Sequence, residues 1–134
     1  MGVIFDTSVL IALERGELDP DRLVQGREQE PFGISVISAA ELLHGVHRAD
    51  TQKRRIKRSS YVEKVLEHYA IYPFELGAAR IYAEVWTTLQ RKGVRIGAHD
   101  LMIAATAISL GWTVATLDLR DYRKIEGLML ETVG

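Results

Sequence analysis

The sequence contains no cysteine, which excludes disulfide bonds, zinc–thiolate sites and a cysteine nucleophile. It also lacks an excess of basic residues, so any nucleic-acid site has to be built from local charge rather than from the net charge of −1. No apolar run reaches the roughly 18 residues of a membrane span, because residues 101–117 are interrupted by Gly111 and by hydroxyl side chains. We therefore expect a cytoplasmic protein without a membrane segment.

The overall composition is that of an ordinary globular domain. The chain has 134 residues, of which 47% are hydrophobic and 26% are charged. A chain of this length buries roughly two-thirds of its unfolded surface when it folds. It contains no internal repeat and no linker-like segment. These features predict one domain over residues 1–134.

Apolar, β-branched runs alternate with segments of helical periodicity. Five strands are predicted, at residues 3–5, 32–37, 71–74, 113–117 and 128–130. Helices are predicted after Asp6, after Ser38, and at residues 53–68, 78–89 and 98–108. Strands that are apolar throughout indicate a sheet covered on both faces. The pattern predicts an α/β protein, a three-layer α/β/α sandwich with a central, mainly parallel twisted sheet.

Four acidic residues occupy the places where such a fold gathers its ligands. Asp6 follows the first strand, Glu41 is predicted to open the helix after the second, Asp100 lies in a first helical turn, and Asp118 follows the fourth strand. The carboxyl ends of parallel strands share one edge of the sheet. Clustered carboxylates repel each other and therefore require a hard cation such as Mg²⁺ or Mn²⁺. Such an ion lowers the pKa of bound water and neutralises charge on a phosphoryl group.

Each acid taken alone also fits a helix cap. Ser38 and Glu41 match the capping-box pattern Ser-x-x-Glu, and Asp6 is a good N-cap residue. Asp100 suits the positive end of a helix dipole, and Asp118 is placed to cap a final helix. The joint placement of all four at one sheet edge favours a metal site over four separate caps.

Three hydroxyl residues stand beside these acids. Thr7 and Ser8 follow Asp6 directly, and Thr116 lies two residues before Asp118 on the same side of its strand. Each is placed either to hydrogen-bond a ligating carboxylate or a substrate phosphate, or only to satisfy a strand or helix end. The sequence leaves these two alternatives open.

The acids and hydroxyls lie in segments that resemble the PIN-domain family, and the whole chain is similar to the VapC-type toxins of bacterial toxin–antitoxin systems. The matching segments cover nearly the full length in the family's order: Ile4–Ile11, Ser35–Gly45, Ile96–Ala107, Thr116–Asp118, Asp121–Tyr122 and Ile125–Leu128.

This resemblance implies a ribonuclease that depends on Mg²⁺ or Mn²⁺ and leaves 3′-hydroxyl and 5′-phosphate ends on RNA. It implies metal-binding and catalytic roles for Asp6, Glu41, Asp100 and Asp118, with Asp6 and Asp100 as central ligands and Glu41 orienting or deprotonating the attacking water. It also implies inhibition by a VapB-type antitoxin, a homodimer, and a larger toxin–antitoxin assembly. It does not indicate which RNA is cleaved.

A non-catalytic, receiver-like module that binds Mg²⁺ is the main alternative. Such modules usually carry two adjacent acids after the first strand and a lysine after a late strand, whereas Asp6 is followed by Thr7 and Ser8, and no lysine ends the strand at Leu117. A phosphatase of the Asp-x-Asp type is disfavoured because Ser8 replaces its second acid.

Two surfaces remain as hypotheses from the sequence. The dense basic run Lys53, Arg54, Arg55, Lys57 and Arg58 is either an RNA-backbone contact or a solvated helix face, and charge runs alone favour the latter. The segments Ser59–Leu66 and Ala78–Leu89 are the candidate dimer surface.

Overall fold

The computed structural model describes residues 1–133. Its five strands are β1 (Val3–Phe5), β2 (Phe32–Ser35), β3 (Ala70–Tyr72), β4 (Thr113–Thr116) and β5 (Met129–Thr132). Its α-helices are α1 (Thr7–Glu14), α2 (Pro20–Val24), α3 (Val36–Arg48), α4 (Gln52–His68), α5 (Leu76–Arg91) and α6 (Ala98–Leu110). A short 3₁₀ helix spans Tyr122–Lys124.

The strands form one sheet in the order β3-β2-β1-β4-β5, and every neighbouring pair is parallel. Alternate residues of β1 point to opposite faces, as the pleat requires. Val3 and Phe5 pack with apolar residues of α1, α3 and α4, whereas Ile4 packs with residues of α5 and α6. Helices therefore cover both faces, which confirms the predicted three-layer α/β/α fold.

The strand order also separates this fold from the receiver-like alternative. A receiver has the doubly wound order β2-β1-β3-β4-β5, in which the third strand lies beside the first. Here β4 lies beside β1, and β3 lies at the far edge next to β2. The topology therefore contradicts a receiver-like fold, although both folds would collect acids at strand ends.

The predicted end of the second strand is wrong. β2 ends at Ser35 rather than at residue 37, and the Ser35 hydroxyl accepts a hydrogen bond from the backbone N–H of Ile37 at 3.0 Å. Ser35 is therefore the N-cap of α3, which rules out the alternative in which Ser38 and Glu41 form a capping box there. Glu41 lies in the interior of α3 instead of opening it. The predicted bounds of the last three strands shift by one or two residues.

The long uncharged segment folds as predicted into a buried helix, a glycine stop and a buried strand. Gly111 ends α6 in the left-handed region at φ 72°, and its backbone N–H bonds the carbonyl of Ile108. The chain then enters β4, which lies between β1 and β5. Among the helices of residues 1–133, none combines the length and hydropathy needed to cross a membrane.

Candidate active site

Asp6 is the most tightly held acidic side chain at the carboxyl edge of the sheet. Its backbone N–H donates to the Ala115 carbonyl at 2.9 Å, which ties the end of β1 to β4. Its carboxylate does not cap α1. Oδ2 accepts from Ser8 Oγ at 2.7 Å and from Thr116 Oγ1 at 2.9 Å, while Oδ1 accepts from the Tyr122 hydroxyl at 2.8 Å. With 6% of its surface exposed, Asp6 is a buried charge fixed by three donors.

The two aliphatic hydroxyls on Asp6 are oriented by the backbone. Ser8 Oγ accepts from the N–H of Leu117 at 3.2 Å, and Thr116 Oγ1 accepts from the N–H of Asp118 at 3.0 Å. Each hydroxyl has only one proton, so accepting from an amide leaves that proton to point at Asp6. The loop after β4 therefore supports the Asp6 carboxylate through two relayed hydrogen bonds.

Asp100 approaches Asp6 from the first turn of α6. Its Oδ1 lies 3.4 Å from the Tyr122 hydroxyl, so one phenol contacts both carboxylates. Burial, followed by the negative charges of Asp6, Glu41 and Asp121, raises the pKa of Asp100 to about 6. Burial and the neighbouring carboxylates also raise the pKa of Tyr122, so its hydroxyl remains a donor.

Glu41 completes the group from the interior of α3. Its Oε1 accepts from Thr7 Oγ1 at 2.7 Å, and Thr7 Oγ1 also lies 2.8 Å from Ser38 Oγ. Its Oε2 lies 3.4 Å from Nδ1 of His99, in the same turn as Asp100. The first turn of α1 thus fixes one oxygen of Glu41 and leaves the other on the exposed side.

Asp118 does not join the other three carboxylates. Its side chain is 58% exposed, and its two oxygens accept from the backbone N–H and the guanidinium of Arg120 at 3.0 and 3.1 Å. These two hydrogen bonds hold the pKa of Asp118 below its usual value. β4 ends at Thr116, and the carboxylate turns outward in the loop that follows. The structure thus gathers three of the four predicted acids.

Three further residues belong to the site and were not predicted as members. Tyr122 joins Asp6 to Asp100, Asp121 adds negative charge near Asp100, and His99 flanks Glu41. The Asp121 carboxylate also pairs with Lys124 at 3.0 Å. The only sequence signal was their position inside the matching segments.

Known proteins resemble this chain in sequence and in fold. The sequence profile described as the PIN domain matches residues 3–128 of the chain. The chain belongs to the PIN-domain family.

Among curated PIN-domain relatives, Ribonuclease VapC1 of Rickettsia felis is 39% identical, with 100% of this chain and 98% of that protein aligned. Ribonuclease VapC of Rickettsia bellii is 35% identical over 99% of this chain and 97% of that protein. Among solved structures, VapBC2 of Rickettsia felis bound to a promoter DNA fragment has a TM-score of 0.89 at 26% identity, and both chains are fully covered. VapBC-5 of Mycobacterium tuberculosis has a TM-score of 0.75 at 32% identity, with 98% and 97% covered.

The donor set of this PIN domain suits a hard divalent cation. Asp6, Glu41 and Asp100 offer only oxygen atoms, which Mg²⁺ and Mn²⁺ prefer. Burial and, after it, the charges of Asp6 and Glu41 raise the pKa of Asp100, and a cation bound here would relieve the repulsion among these acids. Within residues 1–133, the acids are near one another, but no set of three histidine or acidic side chains has the spacing to hold one ion as it stands. Instead, the Tyr122 hydroxyl contacts two of the three carboxylates.

Proposed function

We propose that this chain is the toxin of a VapBC-type pair, an endoribonuclease that requires Mg²⁺ or Mn²⁺. It hydrolyses RNA phosphodiester bonds to leave 3′-hydroxyl and 5′-phosphate ends. One observation carries the proposal: three carboxylates from separate elements, Asp6, Glu41 and Asp100, come together at the carboxyl edge of a parallel sheet. Its full-length relatives named as VapC ribonucleases support the same activity.

Asp6 and Asp100 are the central ligands in this proposal, and Glu41 completes the set. The bound ion supplies a lowered pKa for a coordinated water and neutralises charge on the phosphoryl group. The hydroxyls of Ser8 and Thr116 keep the Asp6 carboxylate in one orientation through their hydrogen bonds to Oδ2. Fixed carboxylates need no rearrangement when the ion arrives, which favours binding.

Glu41 is the residue best placed to handle the proton of the attacking water. Thr7 occupies Oε1, so Oε2 is the oxygen available to orient the water and accept its proton. His99 stands beside that oxygen and is itself mostly exposed. Asp118 lies at the rim with its carboxylate on Arg120, and we assign it a minor share of ion binding.

A cationic groove beside the acids supports RNA as the substrate. Arg15 of α1 and Arg54, Lys57 and Arg58 of α4 line a groove of about 360 Å³, with Glu14 as its only acidic lining residue. Arg58 lies 3.8 Å from Glu14, and all four cationic side chains are exposed. Phosphate contacts from such side chains supply much of the affinity of proteins for nucleic acids.

This groove adjoins a cavity that reaches one member of the acidic cluster, Glu41. A smaller cavity of about 90 Å³ shares Glu14, Arg15 and Arg58 with it and is also lined by Glu41. An RNA backbone lying along the cationic groove would thus be led to the carboxylate that handles the water. We propose this role for Arg54, Lys57 and Arg58 of the basic run, whereas Lys53 and Arg55 lie outside the groove lining.

The partners follow from the relatives. Solved VapBC complexes share the fold over nearly the whole chain, so we propose a VapB-type antitoxin as the inhibitor, with larger assemblies, in the cytoplasm. We also propose a homodimer formed through α5, where Trp86 is half exposed next to Tyr82. Val62 and Val65 of the other candidate segment are buried in the core of this chain and are not available to a partner.

The test is RNA cleavage by the purified protein. A structured RNA is incubated with Mg²⁺, with Mn²⁺, and with either ion plus EDTA, and the ends of the products are mapped. We expect cleavage with either ion, none with EDTA, and products carrying 5′-phosphates. Cleavage that persists in EDTA, or products with 5′-hydroxyl ends, would contradict the proposal.

A further inference from the structure

We propose that Tyr122 is a positioning residue for the cation: its hydroxyl selects the Asp6 oxygen that binds the ion and holds that oxygen toward Asp100. The inference rests on the proposed function, because it concerns the same site. Tyr122 lies in a 3₁₀ helix after Asp118, and no motif in the sequence assigns it such a role.

The ring of Tyr122 is anchored by apolar packing and only its hydroxyl reaches the acids. The residue is 2% exposed and belongs to the apolar cluster that contains Ile4, Leu101 and Ile103. A phenylalanine would fill the same apolar space equally well. The hydroxyl, 2.8 Å from Asp6 Oδ1 and 3.4 Å from Asp100 Oδ1, is therefore a separable polar feature.

The count of hydrogen bonds on Asp6 indicates what this hydroxyl does. A carboxylate oxygen has two lone pairs, and Oδ2 has both engaged by Ser8 and Thr116. Among residues 1–133, Oδ1 accepts from Tyr122 alone, which leaves one lone pair free. A cation held here would therefore meet its free Asp6 lone pair on Oδ1, and the phenol would fix the direction of that lone pair.

The second contact of the hydroxyl sets the relation between the two acids. Asp6 comes from the end of β1 and Asp100 from α6, so no shared element fixes their side chains relative to each other. The phenol oxygen contacts both, and it comes from a third element whose ring is locked in the core. Without the hydroxyl, Asp6 Oδ1 loses the hydrogen bond from Tyr122. The Asp100 carboxylate loses its contact with the same phenol.

The experiment compares Mn²⁺ binding by the full chain and by Tyr122→Phe, without RNA, using electron paramagnetic resonance to count free Mn²⁺. Loss of a hydrogen bond that orients a metal ligand typically weakens binding by about 10-fold or more, and we expect a loss of that size here. RNA cleavage by the variant should recover toward the wild-type kcat as Mn²⁺ is raised. The apparent Kd for Mn²⁺ should stay shifted.

Tyr61→Phe is the matched control. The Tyr61 hydroxyl is also an internal donor, to the Leu10 carbonyl at 2.5 Å, but it contacts none of the acids. We expect Tyr61→Phe to bind Mn²⁺ as the wild type does. Ser8→Ala is a second variant at the site, and it should weaken binding less than Tyr122→Phe because Thr116 still occupies Oδ2.

The outcomes separate the two proposals. Equal or tighter Mn²⁺ binding by Tyr122→Phe, with wild-type protein that binds Mn²⁺ and cleaves RNA, overturns the role of Tyr122 alone. A shift of the same size in Tyr61→Phe also overturns it, since the effect would then be general to the fold. Absence of Mn²⁺ binding by the wild type overturns both this inference and the proposed function.

Discussion

The acidic cluster and the cationic groove lie side by side but differ in how firmly their charges are held. Asp6 is buried and receives three hydrogen bonds. In the groove, Arg54 is 71% exposed and pairs only with Asp50, a neighbour on the surface. A buried charge fixed by several donors has one geometry, whereas an exposed charge on a flexible stem has many.

Because their charges are held so differently, the two regions should contribute differently to the proposed reaction. An ion that activates water requires carboxylates placed to within a fraction of an ångström, so the loss of one ligand should lower kcat strongly. A phosphate backbone requires positive charge at roughly the right place, so each cation in the groove contributes a share. Substitutions in the cluster should therefore act on kcat, and those in the groove on KM.

The largest effect is expected from Asp100→Asn. The substitution keeps the shape of the side chain but removes the charge that a cation requires, and we expect kcat for RNA cleavage to fall by about 10³-fold. Circular dichroism and thermal unfolding should show a folded protein. A variant that retains more than a tenth of wild-type kcat would contradict the expectation that the acidic cluster controls kcat.

A groove substitution should affect a different kinetic parameter. We expect Lys57→Glu to raise KM roughly 10-fold while kcat stays within about 2-fold, and to flatten the log–log dependence of RNA affinity on salt by about 1. Lys53→Glu is the matched control, since it makes the same charge change on α4 outside the groove lining. Equal effects of both substitutions would indicate that α4 acts only through its overall charge.

Asp118→Asn tests whether the exposed acid contributes as much to activity as Asp100 does. Because its carboxylate is exposed and bound to Arg120, we expect a loss of activity of only about 3-fold, far below that of Asp100→Asn. Steady-state kinetics of the two variants, measured at the same Mg²⁺ concentration, make the test. A loss as large as that of Asp100→Asn would contradict the minor share of ion binding proposed for Asp118.

The smallest effect concerns stability and pH. The pKa of Asp100 is about 6 in the folded chain against an ordinary value of 3.8, so the folded state binds its proton more tightly than the unfolded state. The stabilisation from this proton is complete below about pH 4 and is lost as the pH rises through 6. After allowance for partial exposure, we expect the free energy of unfolding to fall by about 1 kcal/mol over this interval.

Urea unfolding of the metal-free protein at several pH values measures this loss. Asp100→Asn should remove the part of the pH dependence that falls between pH 4 and 6. Mg²⁺ should restore stability at pH 7, because the cation takes the place of the proton. A wild-type stability that rises with pH over this interval, with no response to Asp100→Asn, would contradict the assignment.

The sequence predicts the layers and the proximity of Asp6 and Asp100 well because both depend on strong local signals. Apolar runs and helical stripes give the alternation of elements, and parallel strands place Asp6 and Asp100 at one edge. The boundary of β2 was less predictable, since Val36 and Ile37 favour a strand by their β-branching but form the first turn of α3. The N-cap at Ser35 decides this boundary.

The finer features of the site depend on tertiary contacts that no local pattern encodes. Asp118 follows β4 as predicted, but Arg120 binds its carboxylate and turns it away from Asp6. Tyr122 has the sequence context of an ordinary core aromatic, and only the fold brings its hydroxyl to two acids. The sequence therefore does not predict the orientation of the Asp118 carboxylate or the hydrogen bonds of Tyr122.

The central claim is that Asp6 and Asp100 bind one divalent cation together. The most direct test is an anomalous difference map from crystals of this chain soaked in Mn²⁺. We expect an anomalous peak about 2 Å from Asp6 Oδ1 and from an Asp100 carboxylate oxygen, with Glu41 in contact directly or through water. A fully soaked crystal with no peak between these two acids, or with its peak at Asp118 alone, would contradict it.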